Sequence, residues 1–276
     1  MKEIIVNATN YETRVAILED ERLVEIYIER SGHKSIVGNI YKGRVTRVLP
    51  GMEAAFVDIG LDKDAFLYVN DVYEDLAEYQ KMLRMDDGTE AEGDFAEMRD
   101  VVATMGIGDL LREGRHVLVR VTKEAIGTKG PRISTHITLP GRYIVLMPTV
   151  SQVGVSRKIR SRDERIRLKT LCRSLRRGSG GMIVRTAAEG VDTEHLEKEL
   201  NYLYQLWDEI RTKSEPSGVP SLIHREMNLL ERVVRDSIWS DVVSIHIDSE
   251  KMYEQCIEFI HKIDPATVPK IKLYGH

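Results

Sequence analysis

The fold of this chain is decided by residues 39–69, which read NIYKGRVTRVLPGMEAAFVDIGLDKDAFLYV. Apolar and polar residues alternate along this stretch, which is interrupted by a Pro50-Gly51 turn and by a glycine-containing connection at 60–63. Alternation with period two indicates strands that bury only one face. We therefore predict three consecutive strands, at residues 39–49, 54–59 and 65–69.

A further strand is predicted at residues 115–123, where Val117, Val119 and Val121 recur on one face. Several short strands separated by turn signals are typical of a small β-barrel. The acidic segment 71–109 lies between the third strand and this one. We interpret it as a long insertion into the barrel.

Strands and helices are mixed on either side of the barrel. Residues 3–29 alternate with period two around a turn at Asp20-Glu21, which predicts an antiparallel meander. The alternating apolar residues are Ile5, Val15, Ile17, Leu23, Ile26 and Ile28, which are separated by polar residues. A capping box at 161–164 opens a basic helix that ends near Arg177. The other predicted elements are strands at 133–139, 143–147, 182–186 and 242–247, and helices at 193–213, 222–237 and 250–263.

Composition excludes several classes of protein. Of the 276 residues, 42% are hydrophobic, which is enough to bury a sizeable core. The two cysteines and eight histidines lack metal-ligand spacings, so we expect neither a disulfide framework nor a metal site in this chain. GxSxG, P-loop and GxGxxG motifs are absent. No apolar run approaches the roughly 18 residues that span a bilayer, and the N-terminus has no signal-peptide core, so we expect a cytoplasmic protein with no membrane partner.

The net charge of −4 is unevenly distributed along the chain. Residues 71–100 hold eleven acids and three bases, so this segment carries −8 and the rest of the chain +4. Residues 157–177 contain ten bases and two acids. Phosphate binding depends on local potential, so nucleic acid remains a possible partner. The basic helix could be an RNA track, but charge runs usually mark a solvated face, and we favour that interpretation for most of its arginines.

Four ordered segments carry a resemblance to a known family. They are NIYKGRV at 39–45, EAAFVDIG at 53–60, AFL at 65–67 and RTA at 185–187, which follows a Gly-Gly turn. Together they resemble the ribonuclease E/G family, and the resemblance covers essentially the whole chain. Ile59 and the sequence AEG at 188–190 are more similar to the G branch.

The resemblance implies an α+β fold with several subdomains. Residues 1–35 and 215–276 would together form an RNase H-like subdomain. An OB-fold barrel at 36–125, with its acidic insertion at 71–109, and an α/β 5′-sensor subdomain at 126–214 would be inserted between them. The family's DNase I-like subdomain carries two metal-binding aspartates, and its motifs are absent here. We therefore expect the catalytic part to lie beyond residue 276 and this chain alone to be inactive.

By the same resemblance, the full protein would be a metal-dependent endoribonuclease, with Mg²⁺ in its catalytic subdomain, acting in RNA processing and mRNA decay. This chain would bind single-stranded RNA and hold no cofactor, and the full-length protein would be a homo-oligomer. Two other classes stay open, a stand-alone RNA-binding regulator and a scaffold whose acidic insertion recruits a basic partner. Metal-dependent cleavage by the full-length form, and none by this chain, would separate the first class from both.

Five residues are candidates for RNA binding on the barrel. A phenylalanine in a strand is usually buried, so composition alone places Phe56 and Phe66 in the core. The resemblance implies instead an RNA-stacking platform, in which each ring contributes about 1–3 kcal/mol. Lys42, Lys123 and Lys129 flank the same strands and could neutralise phosphates. For any one of them a solvated surface lysine is the simpler interpretation, and the resemblance supports Lys42 least.

Arg185 and Thr186 are the strongest candidates for a phosphate site. A terminal phosphate favours a planar guanidinium and a hydroxyl. Adjacent residues of a regular strand point to opposite faces, so both can reach one phosphate only if the strand ends there. The alternative is an edge-strand arginine in an ordinary surface ion pair. The resemblance implies a 5′-monophosphate sensor, with Gly141, Val145 and Arg157 lining the same pocket.

Overall fold

The structure, a computed structural model, describes residues 1–30, 32, 35–72, 106–178, 180–237 and 242–275. Within these ranges the chain has the predicted α+β composition, with three β-sheets and five α-helices. Most of the acidic insertion predicted at 71–109 lies outside the described residues. No helix in the described ranges is long and apolar enough to cross a membrane.

The elements are numbered here in chain order. The strands are β1 (Lys2–Ala8), β2 (Glu12–Glu19), β3 (Arg22–Arg30), β4 (Ile40–Leu49), β5 (Ala54–Asp58), β6 (Ala65–Tyr68), β7 (His116–Lys123), β8 (Arg132–Ser134), β9 (Leu139–Pro140), β10 (Ile144–Met147), β11 (Val153–Val155), β12 (Gly181–Val184), β13 (Ser221–His224), β14 (Val242–Ile247) and β15 (Ile271–Leu273). The helices are α1 (Ile107–Leu110), α2 (Arg162–Leu175), α3 (Thr193–Ser214), α4 (Leu229–Ser237) and α5 (Glu250–Ile263).

The first sheet joins two segments that are distant in the chain, with strand order β15-β14-β1-β2-β3. β1, β2 and β3 are antiparallel, which confirms the predicted meander, and Asp20 and Glu21 at its turn have φ of 48° and 63°. β14 runs parallel to β1, and β15 runs parallel to β14. Ile4 shares a core cluster with Val234 of α4 and Ile260 of α5, so these helices cover one face.

The helices cover one face of this sheet, and only part of the alternating apolar set lies on that face. Val15 and Ile17 are buried. The other four residues of the set are exposed: Ile5, Leu23, Ile26 and Ile28. Ile5 is exposed because the helices cover the opposite face of β1, and the other three lie on β3, which is an edge strand. Alternation separates two faces of a strand, but the packing of other elements decides which face is buried.

The second sheet has strand order β11-β12-β10-β9 and is covered by α2 and α3. Leu168 of α2 and Leu203 of α3 share a core cluster with Ile144 of β10. The hydroxyl of Ser161 accepts the backbone N–H of Glu164 at 3.3 Å, which confirms the predicted start of the basic helix.

The third sheet closes into a five-stranded barrel, as the alternation of residues 39–69 predicted. Its strand order is β4-β5-β6-β8-β7, and β7 pairs back with β4. The interior is filled by aliphatic side chains that include Val45, Val57, Leu67, Val119 and Ile133. The barrel therefore has a packed core, and its outer surface is available for other contacts.

Two predicted elements were wrong because the sheets to which their residues belong are set by tertiary pairing and not by the local pattern. The strand predicted at 133–139 is two strands, since β8 completes the barrel and β9 belongs to the second sheet. The helix predicted at 222–237 begins only at Leu229, because β13 pairs antiparallel with the first residues of β4. An open strand edge presents unpaired N–H and C=O groups, which stabilise any extended segment that reaches it.

Candidate nucleic-acid interface

Phe56 and Phe66 lie side by side on the outer surface of the barrel. They face each other across β5 and β6, and their ring centroids are 5.5 Å apart in an edge-to-face arrangement. Their neighbours in sequence are fully buried in the barrel, so alternation directs both phenylalanines outward. Each phenylalanine is half-buried, and neither belongs to the buried core.

Cross-strand pairing extends this pair into a row of five outer side chains. Arg47 of β4 lies opposite Phe56, and Arg132 of β8 lies opposite Phe66. Lys123 of β7 lies in turn opposite Arg132. We call these five residues the barrel row. It places two aromatic rings between cationic side chains.

Two register shifts direct cations of the barrel row outward. One lies between Val45 and Arg47 in β4, and the other lies between Val121 and Lys123 in β7. In an uninterrupted strand, residues two apart share a face, so Arg47 and Lys123 would follow the buried valines inward. The extra residue at each shift reverses the alternation, as a β-bulge does.

Tyr68 and Asp71 extend the barrel row beside Arg132. The Tyr68 ring centroid is 4.5 Å from that of Phe66, and the Arg132 guanidinium carbon lies 4.7 Å from the Tyr68 centroid. Nε and Nη2 of Arg132 donate to the Asp71 carboxylate at 3.0 and 2.6 Å. Asp71, the first acid of the acidic segment, therefore holds a cation in place on the outer surface of the barrel.

Lys42 and Lys129 do not belong to the barrel row. The Lys42 ammonium donates to the carbonyl oxygens of Ser214, Glu215 and Ser217 at 2.7, 3.2 and 3.0 Å. These contacts use all three of its donors at the C-terminus of α3. The geometry favours a helix-capping role for Lys42 over the predicted RNA contact. Lys129 is exposed in the turn that follows β7.

Arg185 directly follows the end of β12, an inner strand of the second sheet. Its Nη1 donates to the carbonyl oxygen of Gly141 at 2.6 Å and lies 3.4 Å from Oδ1 of Asp236. Its Nε and Nη2 make no hydrogen bond within the described residues. One edge of the guanidinium is therefore anchored and the other is open.

Thr186 begins a short 3₁₀ turn directly after Arg185. Its hydroxyl oxygen lies 3.1 Å from that of Ser156. The backbone N–H of Ser156 donates to the carbonyl of Val184 at 2.8 Å, so this serine is held beside the end of β12. The hydroxyl of the residue that follows Arg185 is thus paired with a second hydroxyl.

The structure brings together three of the five residues predicted for the phosphate site. Gly141, Arg185 and Thr186 converge at one end of the second sheet. Arg157 is exposed immediately after Ser156. Val145 is half-buried in β10. Val145 and Arg157 stay predictions.

Glu199 of α3 binds the backbone of residues 141–144 through hydrogen bonds to its carboxylate. This side chain is 6% exposed, and its carboxylate accepts the three successive backbone N–H groups of residues 142–144. Burial raises the pKa of Glu199 to about 7, against the opposing effect of these N–H groups. Gly141 has to be a glycine, because a Cβ there would collide with the Glu199 carboxylate.

The basic helix α2 uses at least two of its arginines for the fold. Arg167 donates twice to the Glu164 carboxylate, both at 2.7 Å, and Glu164 also accepts the backbone N–H of Gly190 at 2.9 Å. These two partners lower the pKa of Glu164 to about 2. Arg165 donates to the backbone carbonyl of Ile159 at 2.6 Å. Such contacts favour the prediction that most of these arginines do not form an RNA track.

Sequence reasoning did not identify several residues that the structure places at these two sites. They are Arg47, Tyr68, Arg132, Ser156, Glu199 and Asp236. A sequence signal existed only for Tyr68, which follows Phe66 by two residues in the same strand and so shares its face. In the part of the chain that the structure describes, no three His, Cys, Asp or Glu side chains converge as metal ligands.

Known ribonucleases are similar to this chain over nearly its whole length. Ribonuclease G of Haemophilus influenzae is 41% identical over 273 residues, which are 99% of this chain and 52% of the relative. Ribonuclease G of Escherichia coli K12 is 41% identical over 272 residues, which are 99% of this chain and 53% of the relative. Ribonuclease E of Haemophilus influenzae is 38% identical over 277 residues, covering 99% of this chain and 28% of the relative.

The chain is thus more similar to these ribonucleases G than to ribonuclease E of the same organism, as the residues after Arg185 indicated. It spans about half the length of the ribonuclease G relatives that it matches. Residues 138–276, which include Gly141 and Glu199, match the ribonuclease E/G family. The resemblance seen in the sequence is confirmed, and the chain belongs to the ribonuclease E/G family.

Proposed function

We propose that this chain captures single-stranded RNA and senses a 5′-monophosphate, as part of a metal-dependent endoribonuclease that acts in RNA processing and mRNA decay. The observation that carries RNA binding is the barrel row, in which two outward aromatic rings lie between three cations. Unpaired bases stack on such rings at about 1–3 kcal/mol each, whatever the base. The cations would neutralise the phosphates that connect those bases.

The geometry around Arg185 supports 5′ sensing. Its Nη1 is anchored on Gly141, so the edge formed by Nε and Nη2 is free for two parallel hydrogen bonds to one phosphate. Thr186 and Ser156 add hydroxyl donors beside it. A terminal monophosphate carries more charge and more free oxygens than an internal diester, so it gains more from these donors. The contact to Asp236 is long, at 3.4 Å, and a phosphate dianion would replace it.

We also propose the subdomain organisation implied by the family. Residues 1–35 and 215–276 would form an RNase H-like subdomain, which is supported by a sheet of three antiparallel and two parallel strands built from both segments. The closed barrel supports an OB fold that begins at about residue 36 and extends past the predicted boundary at 125 to Ser134, because β8 completes it. β13 pairs with the first residues of β4 at its edge. The third unit, which would continue from there to residue 214, would be the 5′ sensor.

For the whole protein, family membership supports three further proposals. Hydrolysis would depend on Mg²⁺ held by a DNase I-like subdomain outside this chain. The protein would be a homo-oligomer, and it would act in the cytoplasm. The names of the relatives, ribonuclease G and ribonuclease E, support the reaction class.

The test compares one short single-stranded RNA carrying a 5′-monophosphate or a 5′-hydroxyl. Each is titrated against the wild-type chain, Arg185→Ala and Arg173→Ala, where Arg173 is an exposed arginine of α2 that controls for the removed charge. Wild type and Arg173→Ala should favour the monophosphate about tenfold to a hundredfold, which corresponds to about 1.5–3 kcal/mol. Arg185→Ala should lose this preference. The rates of Mg²⁺-dependent cleavage by the full-length protein should follow the same order.

Two results would contradict this proposal. Equal loss of affinity for both RNAs in Arg185→Ala would make Arg185 a general phosphate contact. Equal binding of both RNAs by the wild-type chain would refute 5′ sensing by this chain, while leaving RNA capture by the barrel row intact.

A further inference from the structure

Glu199 is a buried carboxylate at a position that the helical pattern assigns to the core. The buried face of α3 includes Leu196, Leu200 and Leu203, and Glu199 lies among them. A buried charge is costly unless its oxygens are well hydrogen-bonded. A leucine at this position would avoid that cost, so the carboxylate points to a specific task.

Among the residues that the structure describes, every hydrogen bond of the Glu199 carboxylate ends on one loop, residues 141–144. Its oxygens accept the N–H of Arg142, the N–H of Tyr143 at 2.9 Å and the N–H of Ile144 at 3.0 Å. The opposite side of the same loop binds Arg185. Nη1 of this arginine donates to the carbonyl of residue 141 at 2.6 Å, and its backbone N–H donates to the carbonyl of residue 143 at 2.7 Å.

Two peptide groups therefore connect Glu199 to Arg185. In the peptide group between residues 141 and 142, the N–H donates to Glu199 and the C=O accepts from the Arg185 guanidinium. In the peptide group between residues 143 and 144, the N–H donates to Glu199 and the C=O accepts from the Arg185 backbone. Hydrogen bonds in such chains polarise one another. The Glu199 carboxylate therefore strengthens the two hydrogen bonds that Arg185 donates to the carbonyls of residues 141 and 143.

We propose that Glu199 is a positioning residue for 5′-phosphate binding, which holds residues 141–144 in the conformation that orients the Arg185 guanidinium. This inference rests on the proposed 5′ sensing by Arg185. Gly141 belongs to the same arrangement, because only a residue without a Cβ leaves room for the carboxylate. Glu199 would not touch the phosphate itself.

The groups around Glu199 make this arrangement sensitive to pH. Burial raises the pKa of Glu199 to about 7, and Arg235 of α4 opposes the rise. Tyr143 faces it from the loop, and Cys172 faces it from α2 with a thiol pKa that burial raises to about 11. A protonated carboxyl presents a donor where the loop N–H groups need an acceptor. The loop should therefore be held less firmly as the pH falls through about 7.

The test measures the ratio of the Kd of 5′-hydroxyl RNA to the Kd of 5′-monophosphate RNA at about pH 8. Glu199→Gln replaces one acceptor oxygen with a donor, so this ratio should fall about fivefold or more. The Kd of the hydroxyl-ended RNA should not change, because the barrel row is untouched. Glu197→Gln, at an exposed position of the same helix, is the matched control and should leave both Kd values unchanged.

A second measurement follows the wild-type ratio from about pH 8 to about pH 7, a range above the second phosphate pKa of about 6. The ratio should fall in the wild type and stay constant in Glu199→Gln. If Glu199→Gln does not fold, Glu199→Asp takes its place in the comparison at about pH 8, because it keeps the charge and withdraws it by one methylene.

The outcomes separate this inference from the proposed function. A wild-type chain without a preference for the monophosphate would overturn 5′ sensing, and this inference with it. A preference that survives unchanged in the folded Glu199 variant would overturn this inference alone. An equal loss of affinity for both RNAs would reduce Glu199 to a residue of general structural importance and would also overturn it.

Discussion

Replacing Lys42 with methionine should destabilise the fold and leave RNA binding intact. The Lys42 ammonium donates to three carbonyl oxygens at the end of α3, at distances of 2.7 to 3.2 Å. A hydrogen bond to a charged group contributes about 1.5–3 kcal/mol, and a cation at a helix C-terminus adds about 0.3–1 kcal/mol. Lys42 is half-buried and methionine preserves the packing of its stem, so we expect a loss of about 2–3 kcal/mol in the free energy of unfolding.

Urea denaturation measures this loss as a lower midpoint at an unchanged m-value. Lys123→Met is the matched control, since Lys123 is an exposed member of the barrel row and its removal should cost less than about 0.5 kcal/mol. The salt dependence of RNA binding distinguishes the two lysines. Removing a cation that neutralises one phosphate reduces the slope of log Kd against log salt by about 0.7 for a single strand. We expect this reduction for Lys123→Met and not for Lys42→Met.

The opposite pattern would refute the reasoning about Lys42. A Lys42→Met variant that keeps its midpoint but has a smaller slope in the salt titration would show that the ammonium leaves α3 to bind RNA. In that case the RNA-binding role predicted from the sequence would be correct.

Two further substitutions test other parts of the molecule. The Arg167 guanidinium lowers the pKa of Glu164 from its ordinary 4.5 to about 2. The contribution of ionised Glu164 to the free energy of unfolding is therefore fully present above about pH 4.5. It is lost as the pH falls through about 2. The difference in thermal midpoint between wild type and Glu164→Gln should shrink across that window, and a constant difference would contradict this. Phe66→Ala should weaken single-stranded RNA binding by about 1–3 kcal/mol in a fluorescence titration. Circular dichroism should show that the variant is folded, since loss of folding would mean that the ring is part of the core.

Most individual elements were determined by the sequence alone. The strand at 242–247 and the helix at 250–263 were predicted at both ends, and four of the five barrel strands were predicted to within about one residue. Strands, helices and turns are specified by period-two alternation, period-3.6 repeats and turn residues. These signals involve residues only a few positions apart, so the elements can be predicted from the sequence pattern. The ordered motifs also determined the family, which the similarity to ribonuclease G confirms.

The pairing of distant segments was decided only by the tertiary structure. Residues 221–224 carry a pattern that fits a helix, yet they form a strand because the edge of β4 lies beside them. β3 carries apolar residues on both faces, and nothing in its own sequence shows that it remains exposed at the edge of its sheet. These outcomes depend on contacts between residues that are often more than a hundred positions apart.

The same division holds for the candidate sites. Alternation separated Phe56 and Phe66 from their apolar neighbours, but only closure of the barrel decided which face is inside. Lys42 meets the end of α3 across 172 positions of sequence, and Glu199 meets its loop across more than fifty. A side chain has a fixed chemistry, but the groups that surround it determine its role. The sequence by itself therefore indicated candidate residues such as Phe56 and Phe66, and the tertiary structure decided which side chains, Arg47 and Arg132 among them, lie beside these candidates.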